Sequence, residues 1–256
     1  MLSSEMCACG ILHQDQPKRK LRTEIENTPS EQNTPLSSVT RGQRLTFTPV
    51  EDYYTGRQDA TSGIMFGNMS TNDIEIPVAI KPHDNIASAL SEFCITQHLI
   101  SEGHIKPYQP LGFLSGRDSI YTLSAFEGDV VSCDTITDST DNPKKIQKVL
   151  LMGAATLARL HKSGVAHGDA QIKNTAFSVK TGEERAIDLT SSYFDKSGRG
   201  ITDDMHSYID TLPDYISPVL DNKYIEEYFI DPYLSLVAGA LSKKQQNSVH
   251  RVTSSL

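Results

Sequence analysis

The chain has no tryptophan, only four cysteines, no surplus of positive charge and no long apolar run. Each of these lacks closes off a class of protein. Lysine and arginine number 24 against 32 aspartates and glutamates, a formal net charge of −8. The basic footprint of a non-specific nucleic-acid binder is therefore missing, and nucleic acid is not an expected partner. No stretch approaches the roughly 20 apolar residues of a membrane-spanning helix, so no membrane partner is expected. The first residues show neither the charged start nor the apolar core of a secretory signal. Cys7 and Cys9 lie near His13, but no second ligand pair follows at zinc spacing, and Cys94 and Cys133 add nothing like a disulfide framework. A reducing, cytoplasmic setting is the expectation.

What is present suits one two-lobed domain with a tail, or two small domains: 256 residues, 38% hydrophobic and 22% charged. Residues 1–41 read as a disordered tail. The stretch Glu24 to Thr40 is rich in Ser, Thr, Asn, Gln, Glu and Pro, and buries too little apolar surface to offset its ordering entropy. Lys18-Arg19-Lys20 with Arg22 reads as a solvated charge run. From Gly42 the texture changes. Leu45 and Phe47 alternate with polar residues, and Ile64 to Phe66 and Ile74 to Lys81 flank a Ser70-to-Asp73 turn. Ile86 to Ile100 carries Leu90, Cys94, Ile95 and Leu99 at helical spacing, and Gly103 ends it. Leu111 to Leu114 and Ile120 to Leu123 form a second hairpin pattern. Residues 42–128 thus predict an antiparallel sheet with one helix.

Residues 129–256 predict a mostly helical half. Lys144 to Lys162 places Ile146, Val149, Leu150, Leu157 and Leu160 on one face, with Gly164 where a left-handed C-terminal residue is wanted. Two short strands follow, Thr175 to Ser178 and Arg185 to Ile187, split by a Thr181-Gly182 turn. Helical patterns then cover Thr202 to Leu212, and Tyr224 to Leu241 with a break near Pro232. The expected class is α+β, two-lobed, with an antiparallel-sheet N-lobe and a short helical C-lobe enclosing a cleft.

Chemistry concentrates in His167-Gly168-Asp169-Ala170-Gln171-Ile172-Lys173-Asn174. An Asp and an Asn five residues apart on one loop supply two functions: the carboxylate can orient or deprotonate a hydroxyl, and the amide oxygen can bind magnesium on a triphosphate. Asp188, at the end of the apolar Ala186-Ile187, can fill a second coordination position. His167 reads as packing for the loop backbone. Upstream, Val78-Ala79-Ile80-Lys81 places an ammonium on a strand in the manner of a phosphate-binding lysine. Glu92, the one acid between Ile86 and Ile100, is its candidate partner.

The ordered set Lys81, Glu92, His167-x-Asp169, Asn174 and Asp188 resembles the protein-kinase-like superfamily over roughly Arg44 to Leu241. The HGD form is similar to its atypical branch, which holds the RIO-type kinases, the small kinase of the tRNA-modification complex, lipopolysaccharide kinases and aminoglycoside phosphotransferases. The resemblance implies ATP and Mg2+ as cofactors. It makes Lys81 the phosphate ligand held by Glu92, Asp169 the catalytic base, and Asn174 and Asp188 the metal ligands. Ser124 to Gly128, with Phe126, falls where the adenine-binding hinge belongs. The chain departs from the pattern in three places. No GxGxxG precedes Lys81, where only Gly56, Gly63 and Gly67 stand; Asp188 is followed by Leu189-Thr190 rather than Phe-Gly; and no Ala-Pro-Glu occurs. Two residues after Asp169, where many serine/threonine kinases place a cation, stands the neutral Gln171; Lys173, four residues after, is the catalytic candidate for that charge. The implied activity is γ-phosphate transfer to a protein Ser/Thr hydroxyl. A small-molecule phosphotransferase and a non-catalytic nucleotide-binding scaffold are the alternatives, and the acceptor itself is not legible.

Overall fold

A computed structural model describes residues 11–14, 21–25, 44–49, 64–70, 75–115, 120–137, 142–216 and 220–254. The protein is α+β. Its chain divides into two compact units, residues 1–54, 58–93 and 109–128 in the first, and 55–57, 94–108 and 129–256 in the second.

The first unit is built on strands. β1 (Ile11–Gln14), β2 (Leu21–Ile25), β3 (Arg44–Pro49), β4 (Met65–Ser70) and β5 (Glu75–His83) precede helix α1 (Ile86–Glu102), and β6 (Pro110–Ser115) and β7 (Ile120–Ala125) follow it. β3, β4, β5, β7 and β6, in that order, form a five-stranded antiparallel sheet. β2 pairs antiparallel with β3, β1 with β2, and β1 returns parallel to β6, which closes the sheet. Two strands therefore lie inside the segment that composition assigns to a disordered tail. The polar stretch that drives that expectation starts at Glu24, whereas β1 and most of β2 precede it. Cys7, Cys9, Lys18 to Lys20, Gly56, Gly63 and the turn residues 71–73 lie outside the described residues.

The period of two decides which side chains enter the core. Val78 and Ile80 of β5 are fully buried with Phe47, Met69, Leu114 and Leu123, so Ala79 and Lys81 point to the opposite face. Gly67 serves close packing of strands rather than a phosphate loop: a Cβ there would press into the Thr48 carbonyl and the Phe47 ring. In α1, Ala89 and Phe93 pack on Phe113 in the first unit, and Ile95 and Leu99 enter the core of the second. Leu90 (42%) is exposed, and Cys94 is exposed as well. The buried face thus follows the spacing 89, 93, 96, 99 rather than the one anchored on Leu90 and Cys94.

In the second unit β8 (Val130–Ser132), α2 (Asp134–Thr137), α3 (Pro143–Lys162) and β9 (Val165–Ala166) lead to a one-turn 3-10 helix at Ile172–Asn174. β10 (Thr175–Ser178), β11 (Glu184–Ala186), a 3-10 turn at Leu189–Ser191 and β12 (Tyr193–Phe194) follow. Helices α4 (Arg199–Asp210), α5 (Leu212–Tyr215), α6 (Asn222–Ile225), α7 (Asp231–Leu236) and α8 (Lys243–Ser254) complete it. The spine is α3. Asn142 caps it by accepting from the Lys144 amide at 3.0 Å, Pro143 stands in its first turn, and Gly164 at φ 71° ends it. Residues Met152 to Ala158 are buried all round its axis, which makes α3 a core helix rather than a surface one. Pro232 causes no break. A π-helical turn at Glu226–Ile230 precedes it, and the proline falls in the first turn of α7, where its missing N–H costs nothing. Among the described residues no helix is long and apolar enough to cross a membrane.

Candidate active site

Residues 167–174 follow β9 and lead into β10. Gly168 has φ 76°, and a Cβ on it would run into the Ser191 carbonyl. The backbone conformation and the close approach together require glycine between His167 and Asp169. The loop then winds through the 3-10 turn, which brings Asn174 back over Asp169. Asn174 Nδ2 donates to the Asp169 carbonyl oxygen at 2.8 Å and to Asp169 Oδ2 at 2.9 Å. Both partners are acceptors, which fixes the amide orientation. Asn174 Oδ1 is the end left over, and it accepts no hydrogen bond from the described residues. Gln171 Nε2 donates to the other carboxylate oxygen, Asp169 Oδ1. Lys173 is half-buried beside Asn174, and its carbonyl accepts from Ser132 Oγ at 2.8 Å.

Asp188 is bound to this loop through its neighbour. The Ile187 amide donates to the Asn174 carbonyl at 3.2 Å, and the Ile187 carbonyl accepts from His167 Nε2 at 3.1 Å. His167, 2% exposed, thus acts on the backbone, and its carbonyl accepts from Ser192 Oγ at 2.9 Å. Asp188 itself is exposed, sits at φ 56°, ψ 61°, and accepts from Thr190 Oγ1 at 3.0 Å. It is the sole non-glycine residue with positive φ among those described. Asp tolerates that region better than most residues, and such outliers gather at functional sites.

The first unit holds the remaining candidates. Lys81 Nζ lies 3.0 Å from Glu92 Oε2, with 18% and 16% of the two side chains exposed. His83 stands 3.7 Å from the same oxygen while its Nε2 meets Thr122 Oγ1 at 2.9 Å. Phe126 is buried, its ring packs against Phe66 at 4.8 Å, and its amide donates to the Pro77 carbonyl. Lys81, Glu92 and Phe126 belong to one unit and Asp169, Lys173, Asn174 and Asp188 to the other.

No protein-family model matches the chain, and no curated protein matches it. Among the described residues, no three His, Cys, Asp or Glu side chains gather as a metal-binding group.

Sequence reasoning missed the group beneath the loop. Asp204 of α4, 2% exposed, accepts from the amides of His167 at 2.6 Å and Gly168 at 2.8 Å. It also faces His161 Nε2 at 3.0 Å, and His161 Nδ1 meets the Tyr233 hydroxyl at 2.7 Å. A carboxylate can only accept, so Nε2 carries the proton and the phenol donates to Nδ1. Burial first, and the Asp204 charge second, push the Tyr233 phenol well above its ordinary range, which keeps it a donor. One signal was available. Asp204 falls within the apolar stripe Ile201, Met205, Tyr208 and Ile209, and an acid at a core position needs a partner.

Proposed function

We propose that the protein is an ATP- and magnesium-dependent phosphotransferase of protein-kinase-like fold, its two units serving as the lobes, with a serine or threonine hydroxyl of a protein as acceptor. The observation that carries this reading is the fixed pair Asp169 and Asn174. Asn174 commits its nitrogen to Asp169 and keeps its oxygen for another ligand, while Ile187 ties Asp188 to the same loop. Asn174 Oδ1 and the Asp188 carboxylate are hard oxygen donors of the kind Mg2+ takes, an ion that keeps several waters and needs few protein ligands. Bound there, it would neutralise charge on the β- and γ-phosphates.

Asp169 accepts the proton of the attacking hydroxyl as that oxygen bonds to the γ-phosphorus. The bond from phosphorus to the β–γ bridging oxygen breaks, and ADP leaves with the electron pair. Lys81, steadied by Glu92, binds the phosphates that are not transferred. Lys173 supplies charge on the acceptor side; it, and the absence of a histidine at position 171, favour a protein acceptor.

Incubation of purified protein with γ-labelled ATP and magnesium tests the reading. Label is expected on the protein itself or on added protein. Asp169→Asn should lower transfer at least about 100-fold while leaving ATP affinity nearly unchanged. Label on nothing would reduce the protein to a nucleotide-binding scaffold, and full transfer by Asp169→Asn would remove Asp169 from the chemistry.

A further inference from the structure

Asp169 is held on both of its carboxylate oxygens. Asn174 holds Oδ2 at 2.9 Å, and Gln171 Nε2 holds Oδ1. Gln171 is held in turn, because the Tyr215 hydroxyl, at the end of α5, donates to Gln171 Oε1 at 3.2 Å. A carboxamide has one accepting end and one donating end. With an acceptor-only carboxylate on one side, its nitrogen must face Asp169 and its oxygen Tyr215. A chain Tyr215–Gln171–Asp169 therefore runs from α5 to the proposed base, and all three members lie in the second unit.

We propose that Gln171, locked by Tyr215, is a positioning residue for the proposed phosphoryl transfer: it fixes the plane of the Asp169 carboxylate for the acceptor hydroxyl. This rests on the phosphotransfer reading above. A carboxylate pinned at one oxygen can still rotate about its Cβ–Cγ bond; a donor on the second oxygen removes that freedom. Proton abstraction needs the acceptor hydroxyl aligned with an oxygen lone pair, and small losses of alignment are costly in rate. Each oxygen keeps a further lone pair, so the two amide donors orient the base without blocking it. The neutral side chain two residues after Asp169 thereby has a task that does not require charge.

Two measurements on the full chain test this. In the first, the side-chain amide resonances of 15N-labelled glutamine are followed, with the Gln171 pair identified by its loss in Gln171→Ala. That pair should shift in Tyr215→Phe and shift further in Asp169→Ala. In the second, steady-state kinetics are compared. Gln171→Ala should lower kcat about 10- to 100-fold with KM for ATP changed less than about 2-fold. Gln171→Glu keeps the shape but loses the donor, and should lose at least as much. Tyr215→Phe should cost about 3- to 10-fold in kcat in the wild-type background and nothing further in Gln171→Ala, since it acts through that residue. Near wild-type kcat in Gln171→Glu, or a Tyr215→Phe effect that adds in full to Gln171→Ala, overturns the positioning role while leaving phosphotransfer standing. If the wild type transfers no phosphate while the Gln171 resonance still answers to Tyr215→Phe, the phosphotransfer reading itself fails and the chain is only a brace for the loop.

Discussion

Asp188 carries two burdens at one position, a left-handed backbone and an exposed carboxylate. Substitution separates them. Asp188→Ala removes the carboxylate and leaves a Cβ in the left-handed region; Asp188→Gly removes the carboxylate and relieves the backbone. Both lose the hydrogen bond from Thr190. The glycine variant should therefore be the more stable of the two, by about 1 kcal/mol in denaturant unfolding. Both should lose the extra stabilisation that magnesium adds to ATP in a thermal-shift measurement. A magnesium effect retained in both would take Asp188 out of the proposed metal site, and equal stabilities would mean that the backbone there carries no strain. Gly168 shows the same logic in reverse. Its φ of 76° and the nearby Ser191 carbonyl explain why a residue with a side chain cannot stand between His167 and Asp169.

At the scale of the element, α4 anchors the loop. Its buried stripe presents one carboxylate, Asp204, to two successive backbone amides and to His161. An asparagine of the same shape can accept from one amide but sets its own NH2 against another donor. Asp204→Asn should therefore destabilise the protein by about 1–3 kcal/mol, the cost of leaving a buried donor unpaired. It should also slow the proposed phosphoryl transfer, because His167 and Gly168 lead directly into Asp169. Asp203, the preceding residue, is 58% exposed and lies 3.5 Å from Arg199. Asp203→Asn should change both quantities little, as exposed ion pairs contribute little. Urea unfolding and transfer rates on the two variants decide the matter; equal effects would mean that Asp204 has no special hold on the loop.

At the scale of the whole molecule, the larger hydrophobic core belongs to the second unit, and Cys133 lies inside it, fully buried. Burial, and then the neighbouring Asp134 charge, push its thiol far above the ordinary range, so it stays a neutral, unreactive thiol. Cys94 is exposed. Iodoacetamide on the native protein should mark Cys94 within minutes and leave Cys133 intact until denaturant is added, as read by peptide mass spectrometry. Modification of Cys133 at the rate of Cys94 without denaturant would show that this core opens readily.

Much of this architecture is legible in the sequence, because the features concerned are local. The alternation through Val78 and Ile80, the capped pattern of α3 with Gly164 behind it, and the five-residue spacing of Asp169 and Asn174 are encoded within a few residues. Backbone periodicity converts such spacing directly into shared faces. Glu92 is legible as the partner of Lys81 because it is the one acid between Ile86 and Ile100 on the next helix. The tertiary structure alone decided the rest. Tyr215 reaches Gln171 across 44 residues, Asp204 reaches the His167 amide across 37, and Tyr233 reaches His161 across 72. A hydrogen bond between groups so far apart leaves no period in the chain. Each partner looks like an ordinary polar residue until packing removes water and makes the contact obligatory.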